Sequence, residues 1–179
     1  MQIWALAGLA AFLLLPWYFP QNVTLLQSLR GVFGGEETAA GLVQAWGQGK
    51  PWLSAAPAGL ILALACARMA PGRAQGWGLV AGGGGALALL VFSGFAIGAR
   101  GWNWEWLAAA FGPLAAGQPG MGLGAAVVLL SLLMLLGAGI ARLGYFRGDA
   151  FVAGAVVLCA ALLLLFVALP VGKALIGAF

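Results

Sequence analysis

Few side chains in this sequence could carry out acid–base, nucleophilic or metal chemistry. There is no histidine, and Cys66 and Cys159 both lie inside apolar runs, where a cysteine usually packs as a small hydrophobe. Glu105 lies among tryptophans without a second acid nearby, so it is a weak candidate for acid–base catalysis. We therefore expect no enzyme activity, no metal site and no cofactor.

The apolar runs themselves contain little that could move an ion. Ser93 and Ser131 are their clearest polar residues, and no Asp, Glu, Lys or Arg lies near the middle of a run. Pumps and ion pathways usually depend on charges at that depth, so an autonomous proton-coupled carrier is disfavoured. The glycines at 82–85 do not form a phosphate-binding loop, because the required Lys and Ser/Thr do not follow them.

The composition indicates a membrane protein. Hydrophobic residues make up 64% of the 179 residues and charged residues 7%, whereas soluble domains have about 25% charged residues. Backbone polar groups in lipid must bond within the chain, which favours helices. We predict an all-α, polytopic transmembrane bundle of about five spans, each close to the length that crosses about 30 Å of hydrocarbon. The predicted spans are residues 3–19, 52–67, 77–99, 121–141 and 151–169.

Two short connections between these spans resemble each other and indicate an internal repeat. ARMAPGRAQGWG at 67–78 and ARLGYFRGDAFV at 141–152 each contain an Ala-Arg pair followed by a second arginine. One offset relates Arg68 to Arg142, Arg73 to Arg147 and Leu90 to Leu164. The sequence thus predicts a parallel repeat of helical hairpins. It divides the chain into a first helix with an amphipathic outside segment at 1–51, a first hairpin at 52–111 and a second hairpin at 112–179.

The same arginines predict the orientation of the chain in the membrane. Short loops rich in Lys and Arg remain in the cytoplasm, and Arg68, Arg73, Arg142 and Arg147 all fall in the two short connections. We therefore predict a cytoplasmic N-terminus and a periplasmic C-terminal end in a bacterial inner membrane. The net charge of +4 is read as an orientation signal, and no nucleic-acid partner is expected.

Glycines and tryptophans suggest how the spans pack and where they leave the lipid. Small residues let helices approach closely in a membrane, although a broken helix that lines a substrate path is the alternative. Three clustered tryptophans are typical of an aromatic belt at the lipid surface, with binding of a cation or a sugar as the alternative. The packing candidates are Gly82, Gly83, Gly84, Gly85, Gly94, Gly98, Gly137 and Gly139, and the interface anchors are Trp102, Trp104 and Trp106.

Residues 21–51 predict two short amphipathic helices that lie on the bilayer surface, separated by a break at Gly34 and Gly35. Glu36 and Glu37 would suit the first turn of the second helix. A docking surface for a soluble partner is the alternative for this segment.

The C-terminal stretch FVAGAVVLCAALLLLFVALPVGKALIGAF, residues 151–179, resembles a helix of a known transporter family. It is similar to the first core helix of binding-protein-dependent ABC importer permeases, especially the iron(III) type, with a Leu-Pro exit at Leu169 and Pro170. The resemblance implies a membrane component of an importer of ferric iron, with an ABC ATPase and a periplasmic binding protein as partners.

The EAA loop that docks the ATPase in this family is absent, so no coupling or substrate residue is carried over to this chain. The 179 residues of this sequence would then form a scaffold at the start of a longer polypeptide. The alternative is a free-standing membrane scaffold or accessory subunit that packs against partner transmembrane helices.

Overall fold

A computed structural model describes residues 1–19, 24–34, 38–98, 101–114, 119–168 and 170–171. The protein is mostly helical, as the sequence predicted. Its α-helices are α1 Gln2–Leu14, α2 Leu25–Arg30, α3 Ala55–Cys66, α4 Arg73–Leu79, α5 Ala86–Ala96, α6 Glu105–Phe111, α7 Leu123–Arg142 and α8 Ala150–Leu163. Two-residue strands form two antiparallel pairs, β1 Tyr18–Phe19 with β4 Gly120–Met121, and β2 Ile97–Gly98 with β3 Gly101–Trp102.

Several helices continue into turns of different width. A π-helical segment at Val80–Gly85 joins α4 to α5, and another at Leu164–Ala168 follows α8. A 3-10 turn at Pro51–Ser54 leads into α3. A further π segment at Val43–Gly47 lies where a second amphipathic helix was predicted, while Gly35, Glu36 and Glu37 lie outside the described residues.

Three helices in the described residues are long and apolar enough to cross a membrane: Arg73–Ala96, Leu123–Arg142 and Ala150–Val167. Gln2–Leu14 and Pro51–Cys66 are apolar but shorter. The 13 residues of α1 reach only about 20 Å at 1.5 Å per residue. The structure therefore contains three of the five expected spans at full spanning length.

The first helix ends earlier than predicted because of a proline. A residue that precedes proline is pushed out of the helical region, and Leu15, before Pro16, has φ −115° and ψ 149°. The span expected at 3–19 is therefore a helix that stops at Leu14, followed by extended chain. The third span, in contrast, starts earlier than predicted. Its helix begins at Arg73, about one turn before the expected start at residue 77.

Four helical rods form a closed ring around the core. α1 packs against α3 and α7, and the continuous rod of α4, its π segment and α5 packs against α3 on one side and α7 on the other. The core is mostly aliphatic, with the rings of Phe12, Trp17 and Tyr18 buried in it. Its fully buried large side chains include Phe12, Leu53, Leu60, Leu79, Val128, Leu132 and Leu135.

Glycines allow the rods to touch at backbone distance. A Cβ on Gly83 would lie 2.8 Å from the Leu136 nitrogen, and a Cβ on Gly139 would lie 2.8 Å from the Val80 nitrogen. On the other side of the same rod, a Cβ on Gly82 would lie 2.7 Å from the Gly59 oxygen. Real Cβ atoms do not approach backbone this closely, so these three crossings require glycine.

The last helix stands outside the ring. α8 packs against α7, where a Cβ on Gly137 would lie 2.6 Å from the Cα of Gly154. Its start is fixed by Asp149, whose Oδ1 accepts hydrogen bonds from the backbone nitrogens of Phe151 at 2.8 Å and Val152 at 3.1 Å. Most of its remaining surface is exposed apolar side chain.

The three glycines Gly83, Gly84 and Gly85 provide a graded test of these crossings. A Cβ at Gly83 meets backbone, a Cβ at Gly84 meets only the Leu136 side chain at 3.1 Å, and a Cβ at Gly85 meets nothing within 4 Å. We expect Gly83→Ala to lower the free energy of unfolding by about 1–3 kcal/mol. Gly85→Ala should leave it unchanged or raise it by up to about 1 kcal/mol, because alanine favours helix.

The measurement is SDS-induced unfolding in mixed micelles, followed by tryptophan fluorescence, with Gly84→Ala expected between the other two variants. Equal stabilities for Gly83→Ala and Gly85→Ala would contradict the assigned crossing with α7.

Candidate functional site

Backbone pairing joins the long connections at one end of the bundle, here named the long-loop end. Tyr18 in β1 pairs with Met121 in β4, and the Gly122 nitrogen donates to the Trp17 oxygen at 2.8 Å. The Trp17 nitrogen donates to the Ala39 oxygen at 3.1 Å. The segments that follow α1 and precede α7 are therefore held together although about 100 residues separate them.

The four arginines of the predicted topology signal lie at the opposite, short-loop end. A Cβ on Gly76 would lie 3.2 Å from the Cβ of Arg142, so the two short turns are neighbours. The buried Gln75 side chain stabilises the first of these turns by donating to the Met69 oxygen at 3.1 Å. All four guanidinium-bearing side chains, those of Arg68, Arg73, Arg142 and Arg147, are exposed there.

The three predicted interface tryptophans lie at the long-loop end in three different environments. Trp102 is partly buried, and its Nε1 donates to the Gly112 oxygen at 2.9 Å. Trp104 stacks on Phe92 with ring centroids 5.4 Å apart. Trp106 is exposed. Of these three residues, Trp102 is the one whose indole nitrogen donates a hydrogen bond within the described structure and whose ring contacts both Trp52 and Phe111.

An aromatic cavity of about 390 Å³ lies on one side of α5. Trp52 packs edge-to-face against both Trp102 and Phe111 beside it, with the Trp52 and Trp102 centroids 5.0 Å apart, and the rings of Trp102 and Phe111 are tilted by 32°. This volume falls within the range of small-molecule sites, roughly 300–1,000 Å³. Its lining consists of Pro51, Trp52, Ala55, Leu89, Phe92, Ser93, Ala96, Trp102, Trp106, Leu107 and Phe111.

A second cavity, of about 170 Å³, lies on the other side of the same helix and is named the α5–α7 cavity. Ser93 lines both cavities, so the end of α5 stands between them. The Ser93 hydroxyl donates to the Leu90 oxygen at 2.7 Å and is satisfied within its own helix. The lining of the α5–α7 cavity consists of Trp17, Tyr18, Leu53, Leu90, Val91, Ser93, Gly94, Pro119, Met121, Ala125 and Leu129.

Each cavity is lined by a residue with a buried polar atom that makes no hydrogen bond of good geometry in the described structure. Tyr18, with its hydroxyl, lines the α5–α7 cavity, and Trp52, with its Nε1, lines the aromatic cavity. Burial raises the pKa of Tyr18 well above its ordinary value, and a weaker hydrogen-bonding contact with the Trp17 indole, which can only donate, opposes this rise. The Tyr18 hydroxyl therefore remains protonated at physiological pH and is available as a donor.

A lysine lies against the ring of Tyr18. Lys50 Nζ is 4.4 Å from the centroid of that ring and donates to Gln44 Oε1 at 2.7 Å. Gln44 is fully buried, so this hydrogen bond connects the segment before α3 to the segment after α1. The arrangement places a positive charge beside the aromatic residue that lines the α5–α7 cavity.

Three of the predicted packing glycines do not pack in this chain as expected. Gly94 and Gly98 have the GxxxG spacing, but α5 ends at Ala96, so Gly98 lies in β2 beside the Asn103 side chain. A Cβ on Gly85 or Gly94 would meet nothing within 4 Å. Gly94 instead lines the α5–α7 cavity.

The described residues hold no group of three Cys, Asp or Glu side chains that could bind a metal ion. Comparison with protein family models, with curated proteins and with solved structures found no match. The functional interpretation therefore rests on the geometry of the cavities, the helix crossings and the exposed helix α8.

Sequence reasoning missed Tyr18, Gln44, Lys50 and Trp52 as residues of this region. Tyr18 and Trp52 lie at the ends of apolar runs, where tyrosine and tryptophan are common because they favour the lipid–water boundary. Their residue types alone therefore gave no sign of a cavity. What links these residues is the pairing of distant segments, and no local pattern in the sequence encodes it. The only available signal was the position of a lysine and a glutamine beside an apolar span.

Two substitutions of Trp102 separate its hydrogen bond from its ring contacts. Trp102→Phe removes the bond to Gly112 and should cost about 1 kcal/mol of unfolding free energy. Trp102→Leu also removes the contacts with Trp52 and Phe111 and should cost about 2 kcal/mol or more. The matched control is Trp104→Phe, which keeps a ring to stack on Phe92 and should change stability by less than about 0.5 kcal/mol. Denaturant unfolding in detergent measures all three, and a loss with Trp104→Phe as large as that with Trp102→Leu would contradict the assignment.

Proposed function

We propose that this chain is an integral membrane component of an ABC-type importer, in which α1–α7 form a scaffold and α8 packs against the transport helices. The observation that supports this is the position of α8. Together with the π segment that follows it, α8 forms a helix at Ala150–Val167 that is long and apolar enough to cross a membrane. Only 11% of the residues of this helix are buried within the chain. Its contact with the ring runs through α7, at Gly137 and Gly154.

The predicted repeat gives a reason to expect helices, in addition to lipid, around α8. Leu90 in α5 and Leu164 after α8 occupy equivalent positions in the two proposed hairpins. Leu90 is 8% exposed, covered by the ring, while Leu164 is 62% exposed. If the hairpins are equivalent, the environment that buries Leu90 has no counterpart for Leu164 among the described residues, and neighbouring helices would provide it.

The two proposed hairpins also differ in their turns. Phe146 and Arg147 have positive φ angles of 53° and 55°, whereas Arg73 begins a regular helix in the first hairpin. The backbones of the two turns therefore differ, and the proposed repeat is supported by the sequence and by the order of elements. Under this proposal α1 and Pro51–Cys66 also cross the bilayer, locally thinned, because both pack beside helices of spanning length.

The assignment to an importer, and to ferric iron as its substrate, is supported by the resemblance of residues 151–179 to the first core helix of such permeases. Leu169 and residues 172–179 lie outside the described residues. The alternative function is that of a free-standing scaffold or accessory subunit. Gly85 and Gly94 favour this alternative, because a Cβ on either residue would meet nothing within 4 Å, which leaves room for a partner helix to approach.

Cys159 allows a direct test of what lies beside α8. It is exposed on α8, and the chain's other cysteine, Cys66, is buried, so a thiol-specific photo-cross-linker in native membranes should react selectively at Cys159. We expect adducts that map to transmembrane helices of a permease, in this polypeptide or another, and co-purification of an ABC ATPase. Cys159→Ala is the control and should abolish the adducts.

Adducts to a membrane protein that purifies without an ATPase would replace the importer with the accessory-subunit function. Adducts to lipid alone would contradict both functions, because α8 would then have no helical partner.

The orientation is tested by labelling the two short turns. Ala70→Cys and Tyr145→Cys, in a Cys66→Ala/Cys159→Ala background, should both be protected from a membrane-impermeant maleimide in intact cells and react after lysis. This follows because the arginine-rich turns share one end of the bundle and short basic loops stay in the cytoplasm. Labelling of both positions in intact cells would reverse the proposed orientation, and labelling of only one would contradict the shared end.

A further inference from the structure

We propose that the α5–α7 cavity binds one acyl chain of a phospholipid, whose ester carbonyl accepts a hydrogen bond from the Tyr18 hydroxyl. This assignment does not depend on the importer function, since it rests on the shape, lining and polarity of the cavity. It identifies a lipid site at the long-loop end of the bundle.

The cavity exists because α5 separates from α7. Up to Gly83 the rod touches the α7 backbone, with a would-be Cβ 2.9 Å from the Leu132 oxygen. Farther along the rod, Gly94 has no neighbour within 4 Å of a would-be Cβ, although it faces the same cavity as Ala125 and Leu129 of α7. The two helices therefore diverge toward the long-loop end and leave a gap between them.

The lining and the size of the gap suit hydrocarbon. Apart from Trp17, Tyr18 and Ser93, the side chains that line it have no polar hydrogen-bonding group, and the Ser93 hydroxyl is already bonded to the Leu90 oxygen. A buried water needs two to four polar partners, while apolar cavities of about 150 Å³ stay dry and bind molecules such as benzene. At about 170 Å³, the gap is too small for a helix of about 10 Å diameter, whereas a segment of acyl chain fits.

The gap is open on the side where an acyl chain would enter. Val91 on α5 and Met121 before α7 both line it and are about half exposed, at 48% and 59%. In a chain that spans a membrane, this opening between two helices faces the surrounding lipid. The ligand would therefore enter sideways from the bilayer.

Tyr18 defines the depth and the polar end of the site. It is 3% exposed, it lines the cavity, and its hydroxyl hydrogen has no acceptor among the described residues, since the nearby Trp17 indole can only donate. It follows the end of α1, where tyrosine and tryptophan usually mark the boundary between hydrocarbon and headgroups. Ester carbonyls of phospholipids lie at that boundary and accept hydrogen bonds, which is the chemistry that the Tyr18 hydroxyl requires.

The test is native mass spectrometry of the intact chain in detergent, titrated with phosphatidylglycerol that carries either ester or ether linkages. Gly94→Leu should fill the cavity without a backbone clash and weaken binding of one ester lipid by at least tenfold. Gly85→Leu is the matched control, because Gly85 lies on the same rod with equally open surroundings and does not line the cavity, so binding should not change.

Tyr18→Phe removes one oxygen and keeps the ring. It should weaken binding of the ester lipid by about two- to tenfold. The ether lipid should bind the unmodified chain and Tyr18→Phe with the same affinity, equal to that of the variant for the ester lipid. This variant keeps the proposal testable if Gly94→Leu does not fold.

Unchanged binding in Gly94→Leu, or equal weakening in Gly85→Leu, would overturn the site. An equal effect of Tyr18→Phe on ester and ether lipids would overturn the carbonyl contact. If Gly94→Leu leaves lipid binding intact but abolishes association with another membrane protein, the surface around Gly94 belongs to a helix partner, and the lipid proposal is wrong.

Discussion

Backbone-to-backbone contact at glycine is the constraint on which the rest of this structure depends. In a membrane, lipid chains are as apolar as leucine, so helices associate through close packing more than through escape from water. The rod that contains Gly82 and Gly83 is held between α3 on one side and α7 on the other at distances that exclude a Cβ. Because this rod touches both neighbours so closely, the ring of four rods closes without large interlocking side chains at these crossings.

The cavities appear where this contact ends. At the short-loop end, and through the π segment, backbones touch, and the core there is filled by aliphatic residues such as Leu79 and Leu135. Toward the long-loop end α5 leaves α7, and space opens on both of its sides. Aliphatic residues line much of this space, and aromatic residues such as Tyr18, Trp52 and Trp102 join them there, as expected where a protein passes from hydrocarbon to headgroups.

The sequence was informative where its signal is local. Apolar length predicted the helices, the two arginine-containing turns were found at one end of the bundle, and the glycine run was identified as a feature of the third span. Local signals could not show that Gly83 contacts backbone while Gly85 contacts nothing, because the direction of each residue depends on the placement of the neighbouring helices.

The GxxxG spacing at Gly94 failed for a related reason. That motif has meaning only while both glycines lie on one helix, and α5 ends between them, at Ala96. The early end of α1, in contrast, could have been foreseen, since Pro16 restricts Leu15. The Tyr18 environment lay beyond sequence reasoning altogether, because it is formed by segments paired across about 100 residues.

That pairing has a consequence for biosynthesis. α7, one of the two partners of α1 in the ring, is synthesised more than a hundred residues after α1. Contacts between distant segments form late, because closing a long loop costs conformational entropy before the contacts can stabilise the structure. The short pairing of Tyr18 with Met121 therefore forms only after α1 to α6 have been synthesised. Until this pairing forms, α1 lacks its contact with α7, and a ribosome that stalls before α7 would leave α1 in that state.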